Sequence, residues 1–158
     1  MPEADSASTP RTSPPPQLSY VTLAVDDLTR AVAFYQQALG LPLIRHSAEL
    51  AFFDLGAVRL ALWGGGRLAI DIGWRTDPRG STPTAADAPP GHSLSLNVAS
   101  AAAVAELLQR AASLGGRLVQ PATTPAWGGR RGYLRDPDGH LWEIAWHPGY
   151  DFRCPAPV

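Results

Sequence analysis

Trp127–Trp146, WGGRRGYLRDPDGHLWEIAW, is the stretch on which the reading of this chain turns. It parses as strand, tight turn, strand. Tyr133 and Leu134, within Arg130–Arg135, suit a pleated surface. In Asp136-Pro137-Asp138-Gly139, Pro137 presets φ at the first central position and Gly139 can adopt φ > 0. Leu141–Trp146 then forms a second strand with one carboxylate, Glu143, among apolar neighbours. A charge in such a strand is costly unless it reaches water, a partner or a metal. Glu143 is therefore the first candidate for a functional role.

Working outward, the same plan occurs twice. Tyr20–Val25 is strand-like, and Asp26-Asp27 offers an N-cap for a helix from Leu28. Leu28, Val32, Tyr35 and Leu39 make one helical stripe, Gly40 ends it, and Pro42 keeps it from resuming. Strands over Leu43–His46, Leu50–Asp54 and Val58–Trp63 follow, and Arg67–Trp74 reads as a further extended piece. Asp77–Pro90 is loop by composition, with four prolines. Ser93–Val98 is again a strand, and Ser100 caps a helix striped by Val104, Leu107, Leu108 and Ala111. Gly115-Gly116 stops that helix, and Arg117–Gln120 leads into the opening hairpin. A repeat of about 75 residues is too long for a solenoid. It predicts an α+β fold of two βαβββ modules, each unable to bury its sheet alone, pairing around a shared cavity. The modules span about 18–74 and 91–148, within a domain at 18–148. Residues 1–17, rich in Pro, Ser and Thr, read as a disordered tail, and 149–158 as a C-terminal tail.

Bulk properties exclude several functions. The 158 residues carry a net charge of −1, and no basic stripe suggests nucleic acid. No apolar run reaches the roughly 18 residues of a membrane span. MPEADSASTPRTSPPP has no apolar segment of a secretory signal, and Cys154 is the only cysteine. These features lead to an expectation of a cytoplasmic protein. Motifs for a serine hydrolase or a phosphate loop are missing.

YVTLAVDDLTRAVAFYQQALGLP and DPDGHLWEIAWHP resemble the vicinal oxygen chelate superfamily, which includes glyoxalase I, extradiol dioxygenases and bleomycin-binding proteins. The resemblance covers about Leu18–Pro148 and implies two paired βαβββ modules forming a curved mixed sheet around a ligand cavity. It further implies that metal-using members place one ligand on each of four strands. By register those positions hold Tyr20, Leu60, Ser93 and Glu143 here, with His92 in place of Ser93 if the strand slips by one. His92 and Glu143 are then the only plausible ligands of a degenerate divalent-metal site, so no metal and no cofactor are expected. Strand alternation predicts Tyr20, Thr22, Leu60, Leu62, Ser93, Ser95, Asn97 and Glu143 along the cavity. Trp127 offers a flat face to a ligand from its loop. Arg130, Arg131 and Arg135 read as a solvated hairpin face, although they could attract an anion. The expected function is binding of a small organic ligand, such as an antibiotic or metabolite, by a homodimer. The alternative is a lyase or isomerase with Glu143 as catalytic base, with or without a divalent ion.

Overall fold

The computed structural model of the chain describes residues 17–73 and 91–148. The expected loop Asp77–Pro90, Trp74, Cys154 and the tails, apart from Gln17, lie outside the described residues. The first module runs β1 (Tyr20–Val25), α1 (Leu28–Gln37), β2 (Leu43–His46), β3 (Leu50–Asp54) and β4 (Arg59–Gly64). A short helix α2 (Arg67–Asp71) follows. The second module runs β5 (Leu94–Asn97), α3 (Ala101–Ser113), β6 (Arg117–Thr123), β7 (Arg130–Arg135) and β8 (Leu141–Trp146). Each module makes a four-stranded sheet, ordered β1-β4-β3-β2 and β5-β8-β7-β6. In both, the first strand pairs in parallel with the last, and the remaining neighbours are antiparallel. The α+β fold of two curved βαβββ modules is thus observed, with the sheets not closed into a barrel.

Local chemistry accounts for the elements. Asp27 caps α1 by accepting from the Arg30 amide at 3.0 Å, and Ser100 caps α3 by accepting from Ala103 at 3.2 Å. The predicted stripe of α1 is buried throughout, and Val104, Leu108 and Ala111 bury the corresponding face of α3. Gly132 is required where α3 crosses β7, because a Cβ there would sit 2.5 Å from Leu108 and 2.8 Å from the Gln120 carbonyl. The extended piece expected at Arg67–Trp74 is instead helical over Arg67–Asp71. Gly66, at φ 69°, turns the chain out of the sheet there, so the alternation of Leu68 and Ile70 never meets a partner strand.

The two modules share one hydrophobic core. Leu23, Val25, Phe34, Tyr35, Leu60 and Leu62 from the first meet Val104, Leu108, Leu134, Trp142 and Ile144 from the second. The seam is held by the Asp136–His140 turn. Gly139, at φ 95°, donates its amide to the Asp136 carbonyl at 3.0 Å and closes the turn. The Asp136 carboxylate is 3 % exposed. Its Oδ1 accepts from the Asp138 and His140 amides at 3.0 and 2.8 Å, and its Oδ2 accepts from the Tyr35 hydroxyl of α1 at 2.5 Å. Trp142 Nε1 in turn donates to that hydroxyl at 3.2 Å. Asp138 Oδ1 accepts from the Asp26 amide at 2.8 Å and from Arg30 at 2.7 Å, and His140 Nε2 meets the Ala24 carbonyl at 2.8 Å. One turn of the second module therefore holds the strand–helix junction of the first. No helix among the described residues is long and apolar enough to cross a membrane.

Burial raises the Asp136 pKa above the ordinary carboxylate value, and burial followed by the Asp136 charge raises that of Tyr35 well above a free phenol. The Tyr35 hydrogen bond opposes the shift at Asp136 by favouring the ionised form. Tyr35→Phe leaves a buried carboxylate oxygen and the Trp142 N–H without partners, at a cost of about 1–3 kcal/mol or more. The substitution also raises the folded-state pKa of Asp136 further. The stability gap to the parent is then present in full at neutral pH and shrinks as pH falls through that pKa. Urea unfolding at neutral and mildly acidic pH checks this, and a gap that widens toward acid contradicts it.

Candidate functional site

The candidate site lies on the open face of the second sheet, opposite α3. Register fixes which side chains share that face. Leu94 pairs with Trp142 and Leu96 with Ile144, and this set points into the core. Ser95 pairs with Glu143 and Asn97 with Ala145, so these point the other way. Across the hairpin, Tyr133 pairs with Glu143, Arg131 with Ala145 and Arg135 with Leu141.

Glu143 is the centre of this face. Ser95 Oγ donates to its Oε2 at 2.7 Å, and Tyr133 Oη donates to its Oε1 at 2.9 Å. Both carboxylate oxygens are thus held by hydroxyl donors. Partial burial, followed by the Glu143 hydrogen bond and charge, raises the Tyr133 pKa, so the phenol keeps its proton. The Arg131 guanidinium lies 5.2 Å from the centre of the Tyr133 ring and donates to Gln120 at 3.4 Å. Beside this network is a cavity of about 440 Å³, lined by Gly91, His92, Ser93, Val119, Tyr133, Arg135 and Leu141.

The other anticipated residues are distributed as follows. Tyr20 and Thr22 lie on the open face of the first sheet, where Tyr20 accepts from Arg59 at 3.3 Å and meets the Phe52 ring edge-on at 6.0 Å. Asn97 is exposed at the end of β5, and His92 and Ser93 precede that strand, exposed at the cavity. Among the described residues, no hydrogen bond joins Tyr20 or Thr22 to Ser93, Ser95 or Glu143. Trp127 is 49 % exposed and stacks on His147, with ring centres 5.4 Å apart.

Leu60 and Leu62 depart from expectation. Both are 0 % exposed and belong to the core, on the same face as Leu23 and Val25. Aligning GAVRLALW with GHLWEIAW without a gap sets Leu60 opposite Glu143. In the structure Thr22 pairs with Ala61, as Ser95 pairs with Glu143, so the counterpart of Glu143 is Ala61. The two strands are offset by one residue, and one residue inverts a strand. The solvated reading of the arginines also fails at Arg135, which is 8 % exposed. Tyr133 is the residue that sequence reasoning missed. The turn carried the signal: counting outward from the Asp136–His140 pair sets Tyr133 opposite Glu143.

Residues 17–144 match the profile of the Glyoxalase/Bleomycin resistance protein/Dioxygenase superfamily. The chain belongs to this superfamily. A glyoxalase-related enzyme from Fulvimarina pelagi is 33 % identical with a TM-score of 0.75, over 90 % of this chain and 96 % of that one. Lactoylglutathione lyase from Agrobacterium tumefaciens is 25 % identical with a TM-score of 0.59, over 87 % and 100 % of the two chains. A superfamily protein from Burkholderia phytofirmans, 20 % identical with a TM-score of 0.69 over 83 % and 98 %, shares the fold. No curated protein matches the chain.

Metal chemistry within the superfamily raises the question of whether these residues fit a divalent ion. The four corresponding positions hold Tyr20, Ala61, Ser93 and Glu143, and both oxygens of Glu143 already accept from hydroxyls. Alanine cannot coordinate, and serine and tyrosine hydroxyls are poor ligands beside His or carboxylate. Among the described residues, no three His, Cys, Asp or Glu side chains come together as a metal site would need. With His92 beside Ser93 counted in, His92 and Glu143 are the two strong ligand types available at these positions, fewer than such an ion needs, so the donor set does not fit it.

The face assignment has a direct consequence for stability. Leu60→Ala is expected to cost about 2–5 kcal/mol by opening a core cavity. Thr22→Ala, on the open face, is expected to stay within about 0.5 kcal/mol. Urea unfolding of both variants checks the order, and near-equal small losses would return Leu60 to the open face.

Proposed function

We propose that this superfamily member binds a small organic molecule on the open face of its second module, without a divalent ion. The observation that carries the reading is the engagement of Glu143 by Ser95 and Tyr133 beside a cavity of about 440 Å³. A carboxylate held at both oxygens is a fixed acceptor of known direction. Its neighbours give an apolar wall (Val119, Leu141 and the Tyr133 ring) and a few placed polar groups, the mixture typical of small-molecule sites. Sequestration of a metabolite or antibiotic is the biological form such binding would take. Each oxygen of Glu143 accepts from one hydroxyl, and no observed contact favours its use as a general base.

A library of small heteroaromatic and hydroxylated compounds, screened by thermal shift and by amide chemical shifts, tests the reading. Binders are expected to move the Ser95, Tyr133 and Glu143 resonances. Glu143→Gln, which removes the carboxylate that orients the Ser95 and Tyr133 hydroxyls, should change their affinity about tenfold. Binders that leave these resonances unmoved, or that ignore Glu143→Gln, would overturn it.

A further inference from the structure

We infer that the cavity of the second module takes a small organic acid, with Arg135 holding its anionic head. This rests on the binding role proposed above and specifies the ligand's chemistry. Arg135 is the last residue of β7, opposite Leu141, and it lines the cavity although only 8 % of it is exposed. Its Nη1 donates to the Gly139 carbonyl at 2.5 Å. A guanidinium has five N–H donors, so this bond leaves most of them unused. The ion pairs among the described residues are Arg30–Asp138 and Arg67–Glu49, and neither involves Arg135. A charge this buried with only a neutral carbonyl as partner is costly, and an anion in the adjoining cavity would offset the cost.

The surroundings favour a negative ligand with an organic body. Arg131 adds a second positive charge on the same face, above Tyr133. The carboxylate on that face, Glu143, is already engaged by two hydroxyls. Ser93 adds a hydroxyl and His92 an imidazole at the cavity wall. The planar fork of Arg135 matches a carboxylate or phosphonate through paired N–H donors. Val119, Leu141 and the Tyr133 ring offer apolar surface that a bare inorganic ion would leave uncovered. An acid head on a flat or branched apolar body satisfies both halves of the cavity.

Four probes of one shape and different charge test this in the full-length, isotope-labelled protein: benzoate, phenylphosphonate, benzamide and benzylammonium. The two anions are expected to shift the Arg135 Nε–H and the Ser93 and Leu141 amides saturably at millimolar concentration. The neutral and cationic probes should bind at least about tenfold more weakly. Arg135→Gln should abolish the preference for anions. Because Arg135 also holds the turn through Gly139, Leu141→Glu serves as a second variant. It sets a carboxylate opposite Arg135 without removing the guanidinium, and should exclude added anions from a folded protein. Equal binding of all four probes, or anion binding that survives Leu141→Glu, overturns the inference and leaves the binding role standing. If no probe moves any resonance of the open face, the inference falls, and the compound screen described above decides the binding role.

Discussion

A buried carboxylate in a turn is the constraint on which the rest of this structure depends. Asp136 leaves water, and the cost is offset by two backbone amides of its own turn and by the Tyr35 hydroxyl of the other module. Taking one of these donors away exposes the full desolvation penalty of a charge. The turn is therefore tied to α1, and β8, which leaves it, is fixed relative to the first module. Trp142 completes the arrangement by donating to the same phenol while its ring packs against Tyr35, with centres 5.7 Å apart. Asp138 and His140 extend the hold to Asp26, Arg30 and Ala24. A single hairpin thus joins two modules that would each leave an apolar sheet face in water.

That hold also determines what the other face of β8 can do. With Trp142 and Ile144 in the core, alternation sends Glu143 outward, and the hairpin register sets Tyr133 beside it. The same register brings Arg131 and Arg135 to the open face. Stability and candidate function are therefore written on opposite faces of one hairpin. The superfamily fold supplies the curved sheets, and the open face of the second carries hydroxyl, carboxylate and guanidinium groups. Ala61, the counterpart of Glu143 in the first module, adds no donor to its own sheet.

Much of this was legible in the sequence. Asp27 and Ser100 were recognisable as caps, and the stripe from Leu28 to Leu39 as a buried helix face, because both are local signals. The DPDG turn and Glu143 as the residue to question followed from turn chemistry and the cost of a charge in an apolar strand. What failed depended on non-local pairing. The offset between β4 and β8 arises from how each strand pairs with its parallel neighbour, and no local pattern in GAVRLALW reveals it. Leu60 and Leu62 are as apolar in a core as on a cavity wall. Arg135 reads as solvated because arginine usually is, and the hydrogen bond that holds it against the turn at Gly139 is not visible in a local pattern. The helix at Arg67–Asp71 differs from the expected extended piece because a short apolar alternation does not say whether a partner strand exists.

The binding role proposed for this superfamily member rests on hydrogen-bonding and charged side chains, without a divalent ion. The most direct measurement is the metal content of the purified protein after equilibration with an excess of zinc, nickel, manganese or iron(II) and removal of unbound ion. Far less than one ion per chain is expected, with no change in melting temperature on adding metal or chelator. About one ion per chain, lost together with stability in Glu143→Gln, would contradict it.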